Sequence, residues 1–288
     1  MFPAEFEYLS PTSVDEALAL LAEHGDDGKV LAGGQSLIPL MKLRFSAPTH
    51  IIDINRIPGL DVIEESDGAL RVGALVRTSA IERSSVVASG YGAMNAAAPL
   101  ISDPLVRNLG TVVGSLCHAD PQGDWASVML AMNGEVVARS TTGERRIPAS
   151  ELIDGPFTTT LRPEELVTEV RVPSPGPESF GTYLKLERKI GDFATVAVAV
   201  QVVFDGDRVQ RAGIGLTAVG PSNIKATAAE EALVGKTLES TTITDAARLA
   251  ASAASPISDV RGNAEYKRDM VRVFVTRALG AAAGRRAA

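Results

Sequence analysis

The chain has 288 residues and a formal net charge of −7, with 45% hydrophobic and 22% charged residues. These values are ordinary for a globular protein, and the length predicts about two domains. The negative charge and the lack of a dominant basic patch argue against nucleic acid as a partner. No apolar run approaches the ~20 residues that span a bilayer, and the N-terminal residues lack a signal-peptide pattern. We therefore predict a cytoplasmic protein without a transmembrane segment, either free or peripheral at the inner membrane face.

Cysteine and histidine usage limits the possible metal chemistry. Cys117 is the single cysteine, which excludes an intrachain disulfide and an iron–sulfur site with four cysteine ligands. The only histidines are His24, His50 and His118, so a structural zinc site is not expected either. We predict no metal site, and any redox chemistry would come from a bound organic cofactor or from another chain.

The first 140 residues predict a small β-α-β unit followed by a second mixed unit. Ser13 and Glu16 form a capping-box pattern at the start of an amphipathic helix that Gly25 ends. Asp67-Gly68 is a hairpin dipeptide between two strands, and Asp124 is the expected N-cap of a later helix. The predicted helices cover 13–24, 78–84, 92–98 and 124–132, and the predicted strands cover 30–32, 50–54, 61–65, 69–73 and 135–139.

A proline-rich break divides the chain. Three prolines and a glycine lie between Pro173 and Pro177, so we expect domains at 1–173 and 178–288. One glycine pattern of the dinucleotide-binding type, Gly213 to Ala218, precedes Pro221 and alternates like a strand, so we interpret it as fortuitous. Beyond the break we predict strands over 195–204 and 208–219 and helices over 227–234, 243–254 and 263–282.

Two short glycine-bearing segments carry the strongest functional signal. They are Ala32-Gly33-Gly34-Gln35-Ser36 and Thr111-Val112-Val113-Gly114-Ser115. Glycine allows several backbone N–H groups to converge on a phosphate without side chains in the way. Either segment alone is better explained as a strand-to-helix turn with a polar cap. The pair, followed by Asp120-Pro121 and Asp124, favours phosphate binding.

The wider motif set resembles a known family. Besides the two glycine segments it includes Arg107-Asn108-x-Gly110, His118-Ala119-Asp120-Pro121 and Lys185-x-x-Arg188-Lys189-x-Gly191-Asp192-Phe193-Ala194. Together these resemble the FAD-binding medium subunit of carbon monoxide dehydrogenase-type molybdenum hydroxylases, within the xanthine dehydrogenase family. The resemblance covers essentially the whole chain. It implies an α+β architecture, namely a PCMH-type FAD-binding fold of two α/β subdomains, about 1–57 and 58–173, followed by a C-terminal antiparallel sheet with helices.

The resemblance also implies a set of contacts to noncovalent FAD and no catalytic residue, because the chemistry belongs to the flavin. The two glycine segments would wrap the pyrophosphate, and Asp124 would contact the adenosine end. Val167 would pack on the adenine, Lys185 would lie in the FAD site, and the loop through Asp192 and Phe193 would run beside the flavin ring. The full implied set is Leu31, Ala32, Gly33, Gly34, Gln35, Ser36, Ile101, Thr111, Val113, Gly114, Ser115, Asp124, Val167, Lys185, Asp192 and Phe193.

One position departs from the family pattern. Val113 stands where the family usually has the first of two glycines. If that position needs a positive φ, a β-branched residue there costs about 1–3 kcal/mol. On that condition we expect weaker FAD binding or a shifted turn, and Val113→Gly would tighten FAD binding.

The function implied is electron transfer from iron–sulfur clusters to an external acceptor, while the substrate is oxidised on another subunit. The implied partners are an iron–sulfur small subunit with [2Fe-2S] clusters and a molybdopterin large subunit, assembled as a dimer of heterotrimers. Two alternatives remain at this stage: a stand-alone FAD-dependent reductase or oxidase of the same fold, and a flavin-free scaffold subunit. The sequence does not name the substrate (carbon monoxide, a purine, an N-heterocycle or an aldehyde), the acceptor or the flavin potential.

Overall fold

A small parallel sheet begins the fold in the computed structural model, which describes residues 2–287. The elements are β1 (Glu7–Leu9), α1 (Val14–His24), β2 (Gly28–Leu31), α2 (Leu37–Leu43) and β3 (His50–Asp53). The strand order is β1-β3-β2, and both pairings are parallel. The predicted β-α-β unit is thus confirmed. Ser13 Oγ accepts from Glu16 N at 3.1 Å as expected, whereas the Glu16 carboxylate accepts from Thr12 N rather than closing the box at Ser13.

A five-stranded antiparallel sheet and a set of short helices form the second unit. The strand order is β4-β5-β10-β6-β7. Asp67 and Gly68 both have positive φ, as the predicted hairpin turn requires. The elements are β4 (Ile63–Ser66), β5 (Ala69–Gly73), α3 (Thr78–Arg83), α4 (Ser85–Gly90), α5 (Gly92–Ala97), α6 (Pro104–Arg107), α7 (Val112–His118), α8 (Asp124–Met132), β6 (Glu135–Ser140), β7 (Gly143–Pro148), α9 (Ala149–Leu152), β8 (Ile153–Gly155), β9 (Thr158–Thr159) and β10 (Leu166–Pro173).

The rest of the chain is an antiparallel sheet covered by helices, as the resemblance implies. The strand order is β11-β12-β13-β14. Within residues 2–287, no helix combines the length and the hydropathy that a bilayer-spanning segment needs. The elements are β11 (Ser179–Leu186), β12 (Val196–Asp205), β13 (Arg208–Thr217), β14 (Ile224–Lys225), α10 (Thr227–Leu233), α11 (Ser240–Ala253) and α12 (Ala264–Ala287).

Strand β12 joins the two hydrophobic cores. Val196, Val198 and Val200 pack into the core beneath α10, α11 and α12, whereas Ala197 and Ala199 pack into the core that contains α8. Because successive side chains of a strand point to opposite faces, one strand serves both cores. This explains why the segment is apolar at almost every position.

The fortuitous glycine pattern has a packing role. The predicted strand there is confirmed, since Gly213 and Gly215 lie in β13, and each faces the backbone of α8. A Cβ on Gly213 would lie 1.7 Å from Ala131 O, and one on Gly215 would lie 1.9 Å from Ser127 O. The glycines therefore let α8 pack directly on the C-terminal sheet, and every residue of α8 is buried.

We expect Gly215→Ala to destabilise the protein by about 3 kcal/mol or more, because the added methyl group meets backbone that cannot move aside. Gly280→Ala in α12 is the matched control, since nothing lies within 4 Å of its added Cβ. That control should stabilise the helix by roughly 0.5–1 kcal/mol. Thermal melts of both variants test this, and equal melting temperatures would contradict the packing role.

Candidate functional site

A cavity of about 720 Å³ lies where the three units meet. Pockets of this size hold small-molecule and cofactor ligands. Every residue that the resemblance implied as a contact lines this cavity, from Leu31 in the first unit to Phe193 in the C-terminal region. The cavity therefore brings together residues that are up to 160 positions apart in the chain.

The first glycine segment forms a tight turn between β2 and α2. Gly34 has φ of +68°, which a β-branched or bulky residue rarely adopts. The amides of Gly33, Gly34, Gln35 and Ser36 donate no hydrogen bond to another residue of the described chain. Consecutive amides without partners, next to a cavity, suit an anionic group such as a phosphate.

The second glycine segment is the start of a helix rather than a turn. Thr111 is the N-cap of α7, and its Oγ1 accepts from Gly114 N at 3.0 Å. Ser115 N donates to Thr111 O at 3.1 Å. Within residues 2–287 the amide of Val113 has no acceptor, so the second segment adds another unpaired N–H to the cavity wall.

The premise about Val113 is wrong. This residue is helical, it is not among the described residues with positive φ, and its side chain is buried in the core with 4% exposed. A helix accommodates valine at little cost, so no strain arises there. The basis for expecting weaker FAD binding or a shifted turn therefore disappears.

A buried ion pair closes one side of the cavity. Asp124 is the first residue of α8, and Gly123 is the N-cap, so the predicted capping role of Asp124 is also wrong. Its carboxylate instead accepts from Tyr183 Oη at 2.6 Å and from Lys185 Nζ at 2.9 Å. Lys185 Nζ also donates to Leu100 O at 2.9 Å. The Lys185 side chain is 1% exposed, so this lysine is not a solvated strand residue.

Burial sets the protonation behaviour of this cluster. It raises the pKa of Asp124 above its ordinary range, while Lys185 and the Tyr183 hydroxyl act in the opposite direction. Burial and the neighbouring carboxylate raise the pKa of Tyr183 well above its usual value, so Tyr183 remains a hydrogen-bond donor. The cluster thus places Lys185 Nζ and the Asp124 carboxyl group side by side at the cavity wall.

The loop through Asp192 is tied to the C-terminal region. Arg261 donates to both Asp192 oxygens at 3.0 Å and to Phe193 O at 3.0 Å, and Arg188 Nε lies 3.2 Å from Asp192 Oδ2. These hydrogen bonds hold the pKa of Asp192 well below its usual range. The Asp192 carboxylate is therefore bound by two arginines, and the neighbouring Phe193 side chain is exposed.

The turn before β10 and the first residues of β10 line part of the cavity, and two of these residues, Arg162 and Glu165, have no clear signal in the sequence. Val167 lies at a bulge in β10, where the register to β6 shifts between Val167 and Glu169. Arg162 and Glu165 line the cavity from the turn before β10, and Arg162 N donates to Glu165 Oε2 at 2.7 Å. Only their position beside a strand end, known from the fold, makes them candidates. No group of three or more His, Cys, Asp or Glu side chains in the described residues could hold a metal ion.

We expect the Asp192–Arg261 pair to stabilise the protein above the ordinary carboxyl pKa of about 4, and to stop doing so as the pH falls, because the folded pKa of Asp192 is depressed. Asp192→Asn should lower the melting temperature at pH 7 and progressively less below pH 4. Asp245→Asn is the control, since Asp245 and Arg248 form an exposed pair at 3.8 Å that contributes little. A difference between Asp192→Asn and wild type that is constant with pH would contradict this role.

Family models match both parts of the chain. Residues 4–175 match the FAD binding domain in molybdopterin dehydrogenase, and residues 181–282 match the CO dehydrogenase flavoprotein C-terminal domain. The first match covers more than half of the chain. The first model thus covers the two N-terminal units, and the second covers the C-terminal sheet and its helices.

Curated relatives match nearly the full length. The carbon monoxide dehydrogenase medium chain of Hydrogenophaga pseudoflava is 39% identical over 282 residues, which cover 98% of each chain. The nicotine 6-hydroxylase medium subunit of Paenarthrobacter nicotinovorans is 36% identical and covers 96% of this chain and 97% of its own. Relatives named for different substrates are thus similarly close.

A solved structure agrees with the fold. Carbon monoxide dehydrogenase from Hydrogenophaga pseudoflava, in a form that lacks the Mo-pyranopterin moiety of its cofactor, superposes with a TM-score of 0.95 at 41% identity and covers 99% of both chains. The predicted architecture is therefore confirmed. The chain belongs to the family of FAD-binding medium subunits of molybdopterin dehydrogenases of the carbon monoxide dehydrogenase type.

Proposed function

We propose that this chain holds one noncovalent FAD in the 720 Å³ cavity and serves as the electron-transfer subunit of a heteromeric molybdenum hydroxylase. The observation that carries the proposal is the convergence of unpaired backbone amides, from 33–36 and from Val113, on one cavity. A pyrophosphate needs such donors, and a lone substrate carbonyl does not. The flavin, when bound, supplies the redox chemistry.

The residues of the chain would bind and orient the cofactor. The amides at 33–36 and 113 would hold the pyrophosphate, and Val167 would contact the adenine. Asp124 and Lys185 would supply polar contacts, while Phe193 would lie beside the flavin ring. The remaining members of the implied set would complete the walls: Leu31, Ala32, Ile101, Thr111, Gly114, Ser115 and Asp192.

The side chains near α7 support a noncovalent cofactor. Burial raises the pKa of the Cys117 thiol to about 12, so it is not a nucleophilic thiolate at neutral pH. Burial also lowers the pKa of His118, whose ring packs against Phe157 with centroids 5.2 Å apart. Neither group has the environment of an activated covalent linker.

The assembly we propose contains an iron–sulfur small subunit with [2Fe-2S] clusters and a molybdopterin large subunit, as a dimer of heterotrimers. Two exposed apolar side chains beside the cavity support a subunit contact there: Ile190 and Phe193 are 95% and 52% exposed. We also propose domains at 1–173 and 178–288, a division supported by the two family matches. A cytoplasmic location remains a prediction from the sequence.

The first experiment is an absorption spectrum of the purified full chain before and after incubation with FAD and desalting. We expect retained flavin that acid or heat releases as intact FAD. A chain that retains no flavin, even when produced with its partner subunits, would contradict the proposal. Flavin that stays attached after denaturation would contradict a noncovalent site.

Lys185→Met should destabilise the protein by about 3–5 kcal/mol, because it leaves the Asp124 carboxylate buried without a cation, and should weaken FAD binding. Lys225→Met is the matched control: Lys225 Nζ binds Glu230 Oε1 at 3.1 Å at the other end of α8, outside the cavity. The control should lose stability and keep its FAD affinity. Thermal melts and fluorescence titration with FAD measure both, and equal FAD affinities would contradict the role of Lys185.

Val113→Gly should not tighten FAD binding, because the valine is unstrained and its amide is already free. Loss of a buried side chain and the low helix propensity of glycine should destabilise the protein by roughly 2–4 kcal/mol. Val113→Ala should show a smaller loss, since alanine favours the helix. Melts and FAD titrations test this, and tighter binding by the glycine variant would restore the strain hypothesis.

A further inference from the structure

The first glycine segment touches the backbone immediately before the second one. The first follows β2 in the N-terminal sheet, and the second forms the N-cap and first turn of α7 in the second unit. A Cβ on Gly33 would lie 2.0 Å from Leu109 O and 2.9 Å from Gly110 Cα. The distance between the segments is therefore a property of how two separate sheets are held together.

A line of hydrogen bonds crosses this junction. Asn55 Nδ2 donates to Ala32 O at 2.8 Å, and Asn55 Oδ1 accepts from Arg77 Nη2 at 2.5 Å. Arg77 Nη1 donates to Leu109 O at 2.7 Å. Two side chains thus connect the carbonyl before Gly33 to the carbonyl before Gly110. We call this hydrogen-bonded link through Asn55 and Arg77 the brace.

Asn55 is itself held in place. Its backbone N and its Nδ2 both donate to Asp53 Oδ1, at 2.9 and 2.6 Å. Asp53 Oδ2 in turn accepts from Tyr8 Oη at 2.5 Å. Because these bonds fix the amide plane of Asn55, its position does not depend on Arg77 alone.

We propose that Asn55 and Arg77 act as positioning residues for the FAD pyrophosphate by setting the distance and orientation of the two glycine segments. Neither residue lines the cavity, so both would act through the backbone. The C=O and N–H of a trans peptide point in opposite directions. Holding Ala32 O on the side of Asn55 therefore leaves Gly33 N–H free on the opposite side.

The guanidinium of Arg77 fits the same role. Within residues 2–287 no carboxylate lies within ion-pair distance of its guanidinium, and both acceptors are neutral oxygens. Asp53 and Asp61 act on its positive charge from a longer distance, so the charge is partly offset, and the two neutral acceptors fix the direction of the guanidinium. A lysine cannot replace it, because one ammonium cannot hold the two acceptors in the planar geometry of a guanidinium.

The inference rests on the proposed FAD site, and a double-mutant cycle tests it. In the full chain freed of flavin, Asn55→Ala and Arg77→Gln should each weaken FAD binding about tenfold. The double variant should bind FAD no more weakly than the single variant with the lower affinity, because either substitution breaks the same chain of hydrogen bonds. Effects that multiply, or FAD affinities equal to wild type, would overturn the proposal.

Two further variants separate the links. Asn55→Asp keeps an oxygen for Arg77 and loses the donor to Ala32 O, so it should weaken FAD binding as much as Asn55→Ala; wild-type affinity would overturn the link to Ala32. Arg71→Gln is the control for lost stability, since Arg71 pairs with Glu64 and Glu169 in the second sheet, away from the cavity. It should lower the melting temperature and leave FAD affinity unchanged.

Hydrogen exchange of the flavin-free chain tests the brace without the cofactor. The proposal of an FAD site and the proposal of the brace can therefore be contradicted separately. Arg77→Gln should speed amide exchange at 33–36, across the junction, as well as at 109–113. Faster exchange confined to 109–113 would overturn the brace. If the wild-type chain binds no FAD, the proposed function is contradicted. The exchange result still shows whether the brace holds the two segments together.

Discussion

The ion pair between Lys185 and Asp124 is the interaction on which the rest of the structure depends. It joins β11 of the C-terminal sheet to the first residue of α8, and it forms part of the cavity wall. A second lysine holds the other end of α8: Lys225 Nζ donates to Leu130 O and to Asn133 Oδ1, both at 2.9 Å. The C-terminal sheet therefore holds α8 at both ends, and burial makes the Lys185–Asp124 pair sensitive to loss of either partner.

Small residues between the Lys185 and Lys225 contacts let the C-terminal sheet pack closely on α8. Ala197 and Ala199 of β12 and Gly213 and Gly215 of β13 present almost no side-chain bulk to α8. The valines on the opposite face of β12 fill the helical core instead. Since Lys185, Asp192 and Phe193 reach the cavity from this C-terminal region, the cavity is complete only when both packing faces are formed.

Cofactor binding and substrate choice are separate properties in this family. The relatives named for carbon monoxide and for nicotine resemble this chain to a similar degree over nearly its full length. The solved Hydrogenophaga structure shares the fold of this chain, including its C-terminal sheet. The contribution that we propose for this chain is therefore the binding of a flavin and the environment around it, through backbone amides, a buried ion pair and an arginine-tied loop.

The sequence by itself determined the local elements and the members of the site. Capping residues, the Asp67-Gly68 turn and apolar periodicity act over a few residues, and the motif resemblance named residues that all line one cavity. Only the tertiary structure decided that Val113 is helical, that Asp124 pairs with Lys185, and that Asn55 and Arg77 join the two glycine segments. The last two outcomes depend on contacts between residues 22 to 61 positions apart, because burial and distance across packed units, and not local propensity, set the partners of a polar group.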